Sequence, residues 1–78
     1  MFKINKFISF WVRSEGLMTV IDTLSVFGTV RVRRTKAAKG YIVGLYCEPD
    51  MVERCFDNIL MMSEDGITIR KLNIRYRE

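Results

Sequence analysis

Four apolar segments with strand-like alternation, two segments with helical spacing set between them, and glycine or proline at the junctions predict an α+β domain. The order is β, α, β, β, α, β. The 78 residues allow one domain, spanning 1–78, with a core that is marginal unless a partner, a metal or a disulfide helps it. With 49% hydrophobic and 28% charged residues the composition is that of a folded protein. No apolar run approaches the roughly 20 residues of a membrane span.

The opening MFKINKFISFWVR is basic and apolar like a targeting peptide, but it has no small-residue cleavage site and reads as a first strand. From Phe7 to Arg13, Ile8, Phe10 and Val12 alternate with Phe7, Ser9, Trp11 and Arg13. Leu17, Val20, Ile21 and Leu24 then recur at helical spacing, with Ser14 as the expected cap and Gly28 as the stop. TVRVRR is a second strand with Val30 and Val32 inward and Arg31 and Arg33 outward. TKAAKG turns the chain into the apolar strand YIVGLYC. Pro49 and the acids beside it mark a second helix, because proline suits the first helical position and acids suit the positive end of the dipole. Its stripe is Val52, Cys55, Phe56, Ile59 and Leu60. In the closing ITIRKLNIRYR, Ile67 and Ile69 lie in one phase and Leu72, Ile74 and Tyr76 in the other, which a bulge or a late strand start near Arg70 would reconcile.

This order is the ferredoxin-like, split βαβ arrangement: a four-stranded antiparallel sheet with both helices on one face and the other face open. The first and third strands are central. The expected core is Ile8, Phe10, Val12, Val20, Leu24, Val32, Ile42, Tyr46, Val52, Phe56, Ile59 and Ile69. The open face is expected to carry Trp11 and Ser9 beside Tyr41, Val43 and Leu45. Arg31, Arg33, Arg34, Lys36 and Lys39 flank it on one side, and Arg70, Lys71, Arg75 and Arg77 on the other. These two segments hold nine of the 13 basic residues, so the net charge of +4 is concentrated.

Enzymatic chemistry has little to start from. There is no histidine, the commonest general base and metal ligand. Cys47 and Cys55 lack both CxxC spacing and histidine companions, and read as buried thiols with no metal site and no cofactor. Glu64 and Asp65 precede a glycine and read as solvated turn residues rather than an acid–base pair. An acylphosphatase of this topology would need a glycine cluster after the first strand, which is absent.

Aromatic rings in the middle of a sheet stack on bases, and flanking arginines and lysines neutralise phosphates. This pattern points to RNA and not to catalysis. The expected RNA-binding residues are Arg31, Arg33, Arg34, Lys36, Lys39, Tyr41, Arg70, Lys71 and Arg75, with Trp11, Val43 and Leu45 forming a face for bases or for a protein partner. Two plainer readings compete. Edge strands carry basic residues simply to prevent edge-to-edge pairing, and an apolar sheet face is also what a protein partner would cover.

Two families resemble this chain. KGYIVGLY, Lys39 to Tyr46, is similar to the third-strand octapeptide of the RNA recognition motif, with Val43 in place of its second stacking aromatic. VFG, EPDMVER and the DG before the last strand resemble the same family. That resemblance implies a base-stacking role for Tyr41. ISFWVRSE, YIVGLYCEP and TIRKLNIR resemble the first, third and closing strands of the family of protein six of the bacterial-type small ribosomal subunit. Arg70 and Arg75 match the basic residues of its closing strand; the first helix is shorter here and most of the second-strand segment is missing. This resemblance implies a structural rRNA binder in a cytoplasmic or mitochondrial ribosome, beside protein eighteen of the small subunit. A single domain with no linker to other modules favours the ribosomal family slightly. An ACT-like regulatory or oligomerising domain is the alternative of another class, faintly supported by Arg13, Ser14, Glu15 and Gly16.

Overall fold

The computed structural model describes residues 5–35 and 39–77, with side chains over 6–35 and 39–74. The elements follow the expected order: β1 (Asn5–Arg13), α1 (Leu17–Leu24), β2 (Thr29–Arg34), β3 (Gly40–Cys47), α2 (Val52–Glu64) and β4 (Ile69–Arg77). The sheet order is β2-β3-β1-β4, and every pairing is antiparallel. β1 and β3 are therefore central, and the chain forms the ferredoxin-like α+β sheet with both helices packed on one face.

Each helix starts with one turn of 3-10 helix, Ser14–Gly16 before α1 and Pro49–Met51 before α2. Pro49 occupies an opening helical position as expected, since its missing N–H would have no partner there anyway. Ser14 is not the cap: Arg13 takes that place and no side chain caps the turn. α2 ends at Glu64 and is closed two residues later by Gly66, whose φ of 104° is left-handed. The Gly66 N–H donates to the Ser63 carbonyl at 3.2 Å and the Ile67 N–H to the Met62 carbonyl at 3.1 Å. This is a Schellman closure, which needs a residue free of the Cβ penalty. Glu64 and Asp65 thus belong to a helix end. Among the described residues, no helix is long and apolar enough to cross a membrane and no group of three His, Cys, Asp or Glu could hold a metal.

The core lies between one sheet face and the helices. It is built from Ile8, Phe10, Val12, Val43, Leu45 and Cys47 of the strands, and from Val20, Leu24, Val52, Cys55, Ile59 and Met62 of the helices. Seven expected core residues hold: Ile8, Phe10, Val12, Val20, Leu24, Val52 and Ile59. Phe56 and Ile69 are only partly buried against the core. Val32 has the inward phase but is 41% exposed, because it sits on the edge strand. Leu60 is 54% exposed; Met62 continues the buried stripe of α2 in its place.

β3 corrects the expectation most. Ile8 pairs with Leu45, Phe10 with Val43 and Val12 with Tyr41. Directly opposed residues share a face, so Tyr41, Val43 and Leu45 lie on the helix side, and Val43 and Leu45 are fully buried. Ile42 and Tyr46, expected in the core, belong to the open face. On β4 it is a bulge that reconciles the two phases. Pairing shifts between Ser9 and Trp11, so Phe10 opposes both Lys71 and Leu72, and Lys71 has a φ of 59°. The extra residue lets Ile69 pair with Val12 and Ile74 with Ile8 on the same face, although five positions separate them.

The two thiols are part of this core, both buried. Burial pushes Cys55 up to about 12, with the neighbouring Cys47 adding to the effect through its charge and by accepting the Cys55 hydrogen bond. Burial raises Cys47 too. The thiolate is the reactive form, so neither cysteine should react with iodoacetamide at pH 8 until the protein is unfolded. A thiol whose folded pKa is raised stabilises the fold fully below its unfolded value near 9, and that contribution is lost as pH climbs from there toward about 12. The melting temperature should therefore fall above pH 9, and less steeply in Cys55→Ala. Rapid alkylation of the native protein would contradict the burial.

Candidate nucleic-acid interface

The face away from the helices is assembled by register. Phe7, Ser9 and Trp11 of β1 stand opposite Tyr46, Gly44 and Ile42 of β3. Arg31 and Arg33 of β2 stand opposite Gly44 and Ile42, and on the other edge Arg70 and Asn73 of β4 pair with Trp11 and Ser9. The face is thus an apolar, aromatic middle bordered by arginines on both edges.

Two glycines shape that middle. The Phe7 ring lies over Gly44, where an added Cβ would come within 2.6 Å of it, and the Trp11 indole lies over Gly40 in the same way. Side chains at these two positions would push the rings off the sheet, so the glycines let them lie across β3 as a low platform. Phe7 also meets Tyr46, with ring centroids 4.6 Å apart and planes inclined by 39°, a tilted contact that suits the quadrupoles of both rings. The Arg70 guanidinium sits over Trp11 at 5.6 Å from the ring centroid, a cation–π contact at the β4 edge. Between the Phe7–Tyr46 pair and the β2 arginines runs an open groove of about 520 Å³, with Ile42 and Gly44 in its floor.

Charge is divided by layer. The four strands hold Lys6, Arg13, Arg31, Arg33, Arg34, Arg70, Lys71, Arg75 and Arg77 and no acid. The helical segments carry Glu15, Asp22, Asp50, Glu53, Asp57 and Glu64 against the single basic residue Arg54. A polyanion approaching the sheet meets basic groups, and one approaching the helices meets acids.

The expected site residues separate into groups. Trp11, Arg31, Arg33 and Arg70 come together on the open face. Val43 and Leu45 do not belong there, since they are core. Tyr41 and Arg34 are paired with each other on the helix side of the sheet, where they and Lys39 line a second cleft of about 560 Å³ against the start of the first 3-10 turn. Lys71 is exposed at the bulge. Lys36 and the side chain of Arg75 lie outside the described residues; the Arg75 backbone pairs with Phe7. The aromatic residues of the face that sequence reasoning missed are Phe7 and Tyr46. Their signal was the glycine phase of β3, because Gly40 and Gly44 alternate with the core positions and mark a face where large rings cross the strand.

Comparison with known protein families, curated proteins and solved structures finds no match to this chain.

Proposed function

We propose that this protein binds single-stranded RNA on its open sheet face, as a structural component of a ribonucleoprotein particle. The observation that carries this reading is the arrangement of that face: Trp11 and Phe7 lie across glycines, Phe7 meets Tyr46, Arg31, Arg33 and Arg70 stand at the two edges, and no strand holds an acid. Rings in the middle supply sequence-tolerant stacking, and the edges supply phosphate neutralisation.

For the setting we propose the small ribosomal subunit, on the resemblance of ISFWVRSE, YIVGLYCEP and TIRKLNIR. A recognition-motif reading of KGYIVGLY would need Tyr41 and Val43 as stacking positions, and both lie on the helix side. Cosedimentation with small subunits from a native lysate, followed by crosslinking to rRNA, tests the setting.

The face itself has a built-in reporter, because Trp11 is the only tryptophan. Titration with oligouridylate should quench its fluorescence along the same isotherm that anisotropy of a labelled oligonucleotide gives. Binding without any change at Trp11 would remove RNA from this face, and a protein crosslinked to Trp11 in the assembled particle would replace it with a partner subunit.

A further inference from the structure

The structure separates the cations of the β2–β3 hairpin into two sets. Arg31 and Arg33 point to the open face, whereas Arg34 and Lys39 line the cleft on the other side, with Tyr41, Ser14 and Glu15. The cleft walls are tied together by backbone. The Ser14 N–H donates to the Lys39 carbonyl at 3.1 Å, and the Gly40 carbonyl accepts the Thr35 hydroxyl at 3.0 Å. These links hold the start of the first 3-10 turn against the β3 end of the hairpin, so the cleft residues keep a fixed spacing. Neither Arg34 nor Lys39 has an acidic partner among the described residues. The one acid on the rim, Glu15, is compensated by Arg13 at 3.0 Å. Two unmatched cations, a serine hydroxyl and a phenol therefore line one open cleft, and all can donate hydrogen bonds.

We propose that this cleft is a phosphate monoester site, distinct from the sheet face. A monoester carries about −1.5 to −2 charges at neutral pH, against −1 for the diester of an internal linkage, so two unmatched cations select it. The shared chemistry is met by the phosphorylated end of an RNA strand and by a free nucleotide. Only the first source rests on the RNA-binding reading above.

The test compares one oligouridylate bearing a 5′ phosphate, a 3′ phosphate or neither, on the wild type and on Arg34→Gln/Lys39→Gln. An NMR titration with uridine monophosphate, following the amides of Ser14 and Lys39, runs beside it. A phosphorylated end should tighten wild-type binding by roughly tenfold, the order expected of added charge-assisted hydrogen bonds. The double variant should bring the ratio close to one while melting as the wild type does, since exposed edge charges contribute little to folding. Amide shifts with the mononucleotide but no preference between oligonucleotides would assign the cleft to a free nucleotide. If no oligonucleotide binds, the RNA reading fails and the mononucleotide arm decides the cleft alone. No preference together with no shift, or a preference that survives the double variant, overturns the site.

Discussion

Phe10→Ala is expected to unfold the isolated domain, or to leave it at the edge of its stability. Among the described residues Phe10 is the largest fully buried side chain, 1% exposed, and it stands on a central strand opposite Val43 facing both helices. Truncating a buried phenylalanine costs about 3 to 5 kcal/mol, from lost transfer energy and from the cavity left behind. At the usual stability per residue, a chain of this length has roughly 4 to 12 kcal/mol in total. The site has little room to relax, because the bulge places Lys71 and Leu72 opposite Phe10 and fixes the local register of β4. Phe56→Ala should cost less, since Phe56 is only partly covered. Urea unfolding followed by circular dichroism orders the two. An unchanged midpoint for Phe10→Ala, or a larger loss at Phe56, would mean that the helices cover a different part of the sheet.

The order of elements was legible because β1 and both helices alternate cleanly. Ile8, Phe10 and Val12 allow only one inward face, and Val20 with Leu24 repeats at one helical spacing. The irregularity of β4 was legible as a contradiction: Ile69 and Ile74 cannot share a face in a regular strand, which left a bulge or a late strand start, and the pairing with β1 decides for the bulge. β3 was harder. YIVGLYC is apolar in both phases, and alternation inside the strand cannot choose between Tyr41–Val43–Leu45 and Ile42–Gly44–Tyr46. The choice was nonetheless implicit in Cys47. A cysteine taken as buried ties Leu45 and Val43 to the same side, two and four residues back. Gly40 and Gly44 point the same way, since a glycine facing the helix layer would leave a hole there, whereas on the open face Trp11 and Phe7 fill the space above it. Inverting β3 exchanged Tyr41 for Tyr46 in the candidate site and concealed Phe7, while Arg31, Arg33 and Arg70 of the edge strands kept their face. Arg34 escaped the same reasoning because consecutive residues in a strand point to opposite sides, which separates it from Arg33.

The contributions of charge and stacking on the open face should be separable by two variants that act on different terms of the RNA affinity. Arg31→Gln/Arg33→Gln removes two cations from one edge. If both contact phosphates of a single strand, the slope of log affinity against log salt should fall by about 0.7 for each. The loss should be largest at low salt and similar for all sequences, because phosphate contacts carry no base information. Trp11→Ala acts otherwise. It removes a stacking platform worth about 1 to 3 kcal/mol, so affinity should drop at every salt concentration with nearly the same slope. A small change in slope would still follow from Arg70, which loses the ring it lies over. The competing account of the arginines is that they protect β2, an exposed edge strand, from pairing with other chains. Under that account the arginine variant keeps its RNA affinity and slope but aggregates. Salt-dependent anisotropy and light scattering on the same sample distinguish the two: an unaltered slope with new aggregation would reduce the β2 arginines to edge protection, and an unaltered affinity in Trp11→Ala as well would take the RNA off this face altogether.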